Sequence, residues 1–229
     1  MNNTKPCVKI TLTDTKPSVF ESKIGGLGYI PHDKDFPTDS KGNQLRLLAQ
    51  IECDKIQLDG FMKTGLLQFW VLNDDLAGMD CDDQTKQDCF RVIYYPEIDK
   101  TVTKDEIESK FVKNEFDDDD MLPVFRECGM SFEKSENRFF DYYQELPEEV
   151  YNENTGHKVG GYPFFTQSDP RNDEMLEYYD FLLFQLDTDS FDGEDVVMWG
   201  DSGVGNFFIN SEKLKNQDFS DVLYNWDCF

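Results

Sequence analysis

Two stretches carry residue types that could do chemistry: Asp187-x-Asp189-x-x-Asp192-Gly193 and Trp199-Gly200-Asp201-Ser202-Gly203. Carboxylates this close together can act as general acid or base, or supply oxygen ligands to a hard cation. An EF-hand calcium loop requires side-chain ligands at its first, third and fifth positions and a glutamate at its twelfth. Counted from Asp187, those last two places hold Phe191 and Met198, so the calcium pattern fails and only weak cation binding stays open. Asp201 could present a carboxylate on a tight turn; the competing reading is an aspartate that caps its own turn.

Gln50 and Gln185 both fall inside apolar runs. A glutamine there must find hydrogen-bond partners, since an unsatisfied buried amide costs roughly 1–3 kcal/mol. Gln50, Gln185, Asp187, Asp189, Trp199 and Asp201 are therefore the candidate binding residues. No catalytic residue, metal ligand or cofactor is assigned. His32 and His157 sit in no Ser/Asp or Cys pattern and read as loop or surface residues. Six cysteines include no CxxC pair, and no phosphate-loop or dinucleotide fingerprint is present.

The elements that must position these residues recur along the chain. Lys23-Ile24-Gly25-Gly26 and Leu47-Leu48-Ala49-Gln50-Ile51-Glu52 return 135 positions later as Lys158-Val159-Gly160-Gly161 and Leu182-Leu183-Phe184-Gln185-Leu186-Asp187. Gly65 to Leu72 returns as Gly203 to Asn210, 138 positions later. A fixed internal offset dictates architecture before anything else. The expected fold is α+β and β-rich, a single 1–229 body built from two tandem related halves. The first half runs over 20–96 and the second over 156–229. The connection at 97–155 carries 18 acidic and 7 basic side chains.

Apolar and polar residues alternate in Val8 to Thr13, the mark of a half-buried strand. Further strands are expected over Leu45–Ile51, Leu66–Leu72, Cys89–Tyr95, Phe181–Leu186, Val196–Trp199 and Asn206–Ile209, with a short one at Met121–Phe125. Thr103-x-x-Glu106 has capping-box spacing and starts the best helix candidate, with Ile107/Phe111 and Val112/Phe116 four apart, ending at Asp117 to Asp120. Ser211 is expected to cap a short helical turn.

The chain holds 22 Lys and Arg against 47 Asp and Glu, a formal charge of −25. Such a surface repels phosphate backbones and anionic bilayers, which disfavours nucleic-acid and membrane binding. Twenty Phe, 10 Tyr and 3 Trp supply core area despite the polar composition. Residues 1–6 lack an apolar signal-peptide core, and no stretch approaches the roughly 18 apolar residues of a membrane span. A cytoplasmic protein with reduced thiols is expected.

Gly25-Gly26, Leu48-Ala49-Gln50-Ile51, Gly65 to Trp70, Met198 to Gly203 and the closing Tyr224-Asn225-Trp226-Asp227-Cys228 resemble the YwqG-like family of uncharacterised bacterial proteins. The resemblance implies a β-rich α+β fold with no established activity, and an immunity or protein-binding role. The leading expectation is a non-enzymatic, acidic protein-binding protein, antitoxin-like, whose partner is a basic, toxin-like protein. The alternative is a hydrolase or transferase using carboxylates near Asp187 and Asp201; a weaker one is nucleic-acid mimicry. The second half alone adds the Asp187/Asp189/Asp192 loop and the Trp199-Gly200-Asp201 turn.

Overall fold

The computed structural model describes residues 4–114, 117, 121–139 and 148–229. Its centre is a strand pair distant in sequence. β1 (Thr4–Thr13) runs antiparallel to β6 (Cys128–Arg138), in register from Thr4 opposite Arg138 to Thr13 opposite Gly129. On its other side β1 pairs with β7 (His157–Gly160). From this pair the sheet extends both ways. One arm passes from β6 through β2 (Lys23–Ile24), β3 (Arg46–Glu52) and β4 (Leu66–Val71) to β5 (Phe90–Tyr95). The other passes from β7 through β8 (Phe181–Asp187) and β11 (Val204–Ile209) to β12 (Val222–Asp227). The ten strands form a single sheet, antiparallel throughout. β9 (Asp189–Phe191) and β10 (Glu194–Val197) form a separate two-stranded ribbon.

The sheet curls until its arms meet. Phe69 on β4 lies 4.8 Å from Phe184 on β8 and 4.9 Å from Phe207 on β11, centroid to centroid. Phe207 stacks on Tyr224 of β12 at 4.4 Å, and Phe90 of β5 reaches the same tyrosine at 5.2 Å. Aromatic pairs in this range contribute about 0.5–1.5 kcal/mol each beyond their buried area. The loop that leads into β5 also reaches β12, where Gln84 O accepts from Tyr224 N at 2.9 Å. The result is one nearly closed antiparallel sheet around a main apolar core, with two smaller clusters around Trp70 and Phe208.

This corrects the expected α+β fold with two tandem halves. The helices α1 (Lys104–Ser109), α2 (Glu148–Asn154), α3 (Asp173–Tyr178) and α4 (Ser211–Lys215) are one to two turns long and form no layer of their own. The fold is strand-dominated. The halves also do not close separately, because β1 and β6 lie outside both assigned segments and join the arms into one sheet. β6 in particular falls within the stretch read as an acidic connection. Its Glu133, Lys134 and Glu136 are exposed, while backbone pairing to β1 holds the strand in place.

Local expectations fared unevenly. Gly25, Gly26, Gly160 and Gly161 all have positive φ, as their turns demand. Thr103 caps α1, its side chain accepting from Glu106 N. Phe116 and Asp118–Asp120 lie outside the described residues. The cap of α4 is Asn210, which accepts from the amides of Glu212 and Lys213, and Ser211 is already helical. Met121–Phe125 forms no strand; only Val124 makes a bridge, to Val197.

Candidate functional site

The carboxylates of the second half gather around a histidine. β8 ends at Asp187 and β9 opens at Asp189, and beside them β7 begins with His157, which is buried rather than a surface or loop residue. Asp187 N donates to His157 Nδ1 at 3.0 Å. An acceptor Nδ1 places the ring proton on Nε2, which donates to Asp189 Oδ2 at 3.1 Å. That hydrogen bond to His157 holds the Asp189 carboxyl below its ordinary range. Asp187 takes the Gly156 amide at 2.6 Å on one oxygen and the Thr188 amide at 2.9 Å on the other. Burial nevertheless raises its pKa. Its role here is to stitch the start of β7 to the end of β8.

Gln50 and Gln185 are completely buried and every amide atom is used. Gln50 Oε1 accepts from Tyr29 N at 2.8 Å, while its Nε2 donates to Val19 O and Glu21 O. Gln185 Oε1 accepts from Phe164 N at 2.8 Å, while its Nε2 donates to Asn154 O and Gly156 O. Each glutamine thus replaces a strand that the loop cannot supply, satisfying buried backbone groups at three points. Beside them, Gln68 and Asn206 donate to the carbonyls of Tyr29 and Phe164. Lysines also occur in both places: Lys23 opposes Gln50, and Lys158 opposes Gln185. Lys158 is fully buried, donates to Asn154 O, and is pushed by burial down to about 7.

Trp199 and Asp201 part company. Asp201 is exposed on the turn that leads to β11. No hydrogen bond joins it to Asp187 or Asp189 among the described residues. Trp199 is buried, and Gly205 on β11 makes the room for it: a Cβ there would stand 2.4 Å from the indole. The indole packs 5.8 Å from that of Trp226, and its Nε1 has no acceptor among the described residues. Together the two tryptophans line a pocket of about 300 Å³ with Met121, Pro123, Met198 and Asp75.

This pocket was invisible in the sequence, because its walls come from segments up to about 150 residues apart. Trp226 Nε1 donates to Leu76 O at 2.7 Å, and Tyr224 OH donates to Ala77 O at 2.9 Å, which pins the 74–88 loop along β12. That loop carries Asp74, Asp75, Asp80, Asp82, Asp83 and Asp88. Its own turns are held by aspartates: Asp80 accepts from the amides of Asp82 and Asp83, and Asp83 from that of Thr85. Leu76 and Met121 stand exposed nearby. The patch therefore combines an aromatic and thioether floor with an acidic margin.

No group of three or more His, Cys, Asp or Glu side chains able to hold a metal ion occurs among the described residues. All six cysteines are unpaired. No helix among the described residues is long and apolar enough to cross a membrane. No curated protein matches the chain. A family model does: the match to a domain of unknown function, DUF1963, spans residues 22–228. It starts just before β2 and runs through β12, taking in every candidate residue discussed above, and the chain belongs to this family.

Proposed function

We propose that the protein is a non-enzymatic binding module that takes a basic protein partner on the Trp199–Trp226 face. The observation that carries this reading is the pocket itself: an apolar floor of Trp199, Trp226, Met121 and Met198, opening beside Asp75 and the acidic 74–88 loop. Aromatic and methionine side chains are enriched at the centres of protein interfaces, with polar residues around them. A partner that inserts one apolar side chain and surrounds it with lysine or arginine fits both parts. The charge of −25 supports the same choice, since it accelerates encounter with a cationic protein and repels acidic ones.

The carboxylates on which the alternative hydrolase or transferase would rest are not joined by any hydrogen bond among the described residues. Asp187 directs its oxygens at backbone amides, and Asp201 stands apart on an exposed turn. The YwqG-like resemblance supports a bacterial, immunity or antitoxin-like role, and the cysteine pattern supports a cytoplasmic one.

The test is affinity capture from the native cell with the wild-type chain and with Met121→Glu, at low and at about 0.5 M salt. A basic protein retained by wild type, lost at high salt and lost in Met121→Glu is the expected result. Recovery of the same proteins by both chains at both salt concentrations overturns the reading.

A further inference from the structure

On the β2–β6 side of the molecule is a second pocket, of about 370 Å³, whose character is opposite to the surface around it. Its rim and floor carry Lys16, Lys23 and Lys104 against one carboxylate, Glu127. Three ammonium groups converging on one pocket is unexpected in a chain with 22 basic and 47 acidic side chains. A fourth, Lys100, sits 4.4 Å above the ring of Phe20, which also lines the pocket. The remaining wall is apolar: Val19, Leu27 and Val102.

Lys23 is the unusual member. Its side chain is only 1% exposed, yet it opens onto this pocket. Nζ donates to Glu127 Oε1 at 2.7 Å and to Pro17 O at 3.2 Å. An ammonium has three donors, so one N–H has no partner among the described residues. Burying a charged amine with a donor left over is costly unless something completes its shell. Glu127 pairs with Lys23, and Glu21 also acts on it electrostatically; Lys16 is exposed, and Lys104 pairs with Glu108 on its own helix at 3.3 Å. Among the residues that line the pocket itself, three lysines stand against one glutamate.

From this arrangement we infer that the pocket binds a small organic anion, a carboxylate or phosphate head on a flat apolar body. The head would take the third Lys23 donor and lie between Lys16 and Lys104. The body would rest on Phe20, Val19, Leu27 and Val102. A volume of this size suits one small molecule, and mixed apolar walls with a few converging polar groups are the usual make-up of such sites. The inference is independent of the partner surface, which uses different residues.

The experiment is a titration of the ¹⁵N-labelled chain with phenyl phosphate, inorganic phosphate and benzyl alcohol as separate probes, followed by amide shifts. Phenyl phosphate should produce saturable shifts at Ser18, Phe20, Leu27 and Val102. Inorganic phosphate should bind about tenfold more weakly for want of the apolar contact, and benzyl alcohol likewise for want of the charge. Raising salt to about 0.5 M should weaken phenyl phosphate several-fold. Lys16→Glu/Lys104→Glu alters exposed side chains only, and its spectrum verifies that the fold is kept. In that variant the phenyl phosphate shifts should fall at least about tenfold in affinity. Absence of saturable shifts at those four residues overturns the inference. So does equal binding of benzyl alcohol, or binding unchanged in the double variant.

Discussion

Lys23 Nζ stands 2.7 Å from Glu127 Oε1, the lysine 1% exposed and the glutamate 30%. The pair ties β2 to the residue just before β6, two elements that meet in the sheet from 104 positions apart. Burial pulls the Lys23 pKa down and Glu127 pulls it back up, so the glutamate is what keeps a charged amine tolerable there.

Glu127→Gln should therefore destabilise the protein by about 1–3 kcal/mol, because it leaves Lys23 charged, buried and without its counterion. Adding Lys23→Met should recover most of the loss. Urea denaturation of the two singles and the double gives the cycle; additive losses would show that the pair is not coupled.

Gln50→Leu and Gln185→Leu each strip one acceptor and two donations from buried backbone, at Tyr29, Val19 and Glu21 or at Phe164, Asn154 and Gly156. Losses of about 3 kcal/mol or more are expected for each. Gln50→Leu should be the more damaging, since Gln50 Oε1 also accepts from Gln68 Nε2 at 2.8 Å, and Gln68 Oε1 in turn accepts from Trp70 Nε1. Chemical denaturation midpoints rank them.

Lys158 supplies a pH prediction. Its folded pKa is pushed by burial from 10.5 to about 7. Between those values the unfolded chain binds the extra proton, so this group makes stability rise with pH from about 7 to about 10.5, and its penalty is full below about 7. Lys158→Met should be the more stable chain at pH 6, with an advantage that shrinks toward pH 10. Thermal melts of both chains across that range check the difference. An advantage that grows with pH would refute the assignment.

Gly205→Val should push the Trp199 indole out of its place, since even a Cβ would stand 2.4 Å from it. The expected outcome is a loss of about 2 kcal/mol or more from overpacking, and loss of the salt-sensitive partner in capture experiments. Tryptophan fluorescence should shift in the same variant. An unchanged spectrum with unchanged capture would remove Trp199 from the binding face.

Much of the local structure was legible in the sequence for local reasons. A Gly-Gly pair reports a need for positive φ, a glutamine inside an apolar run reports buried backbone that needs it, and Thr103 three residues before Glu106 reports a cap. Gln50 and Gln185 were legible as structural equivalents because the repeat places both inside apolar runs at the same 135-residue offset. The carboxylates were harder. Asp187 and Asp189 read as a surface loop until β7 brought His157 between them, a partner some thirty residues away.

The amino-acid sequence by itself determined β1, β3, β4, β5, β8 and β11, the glycine turns, the aromatic supply of the core and the negative charge. The tertiary structure alone decided that these strands make one sheet, and it did so through β6. That strand lies inside an acidic stretch, exposes Glu133, Lys134 and Glu136, and owes its place at the centre to backbone hydrogen bonds to β1, about 120 residues away. Such bonds are blind to side-chain identity, so no local pattern announces them. The two pockets follow from the same long-range pairing. Lys23 meets Glu127, and Trp199 meets Trp226 and Met121, only after the sheet has curled.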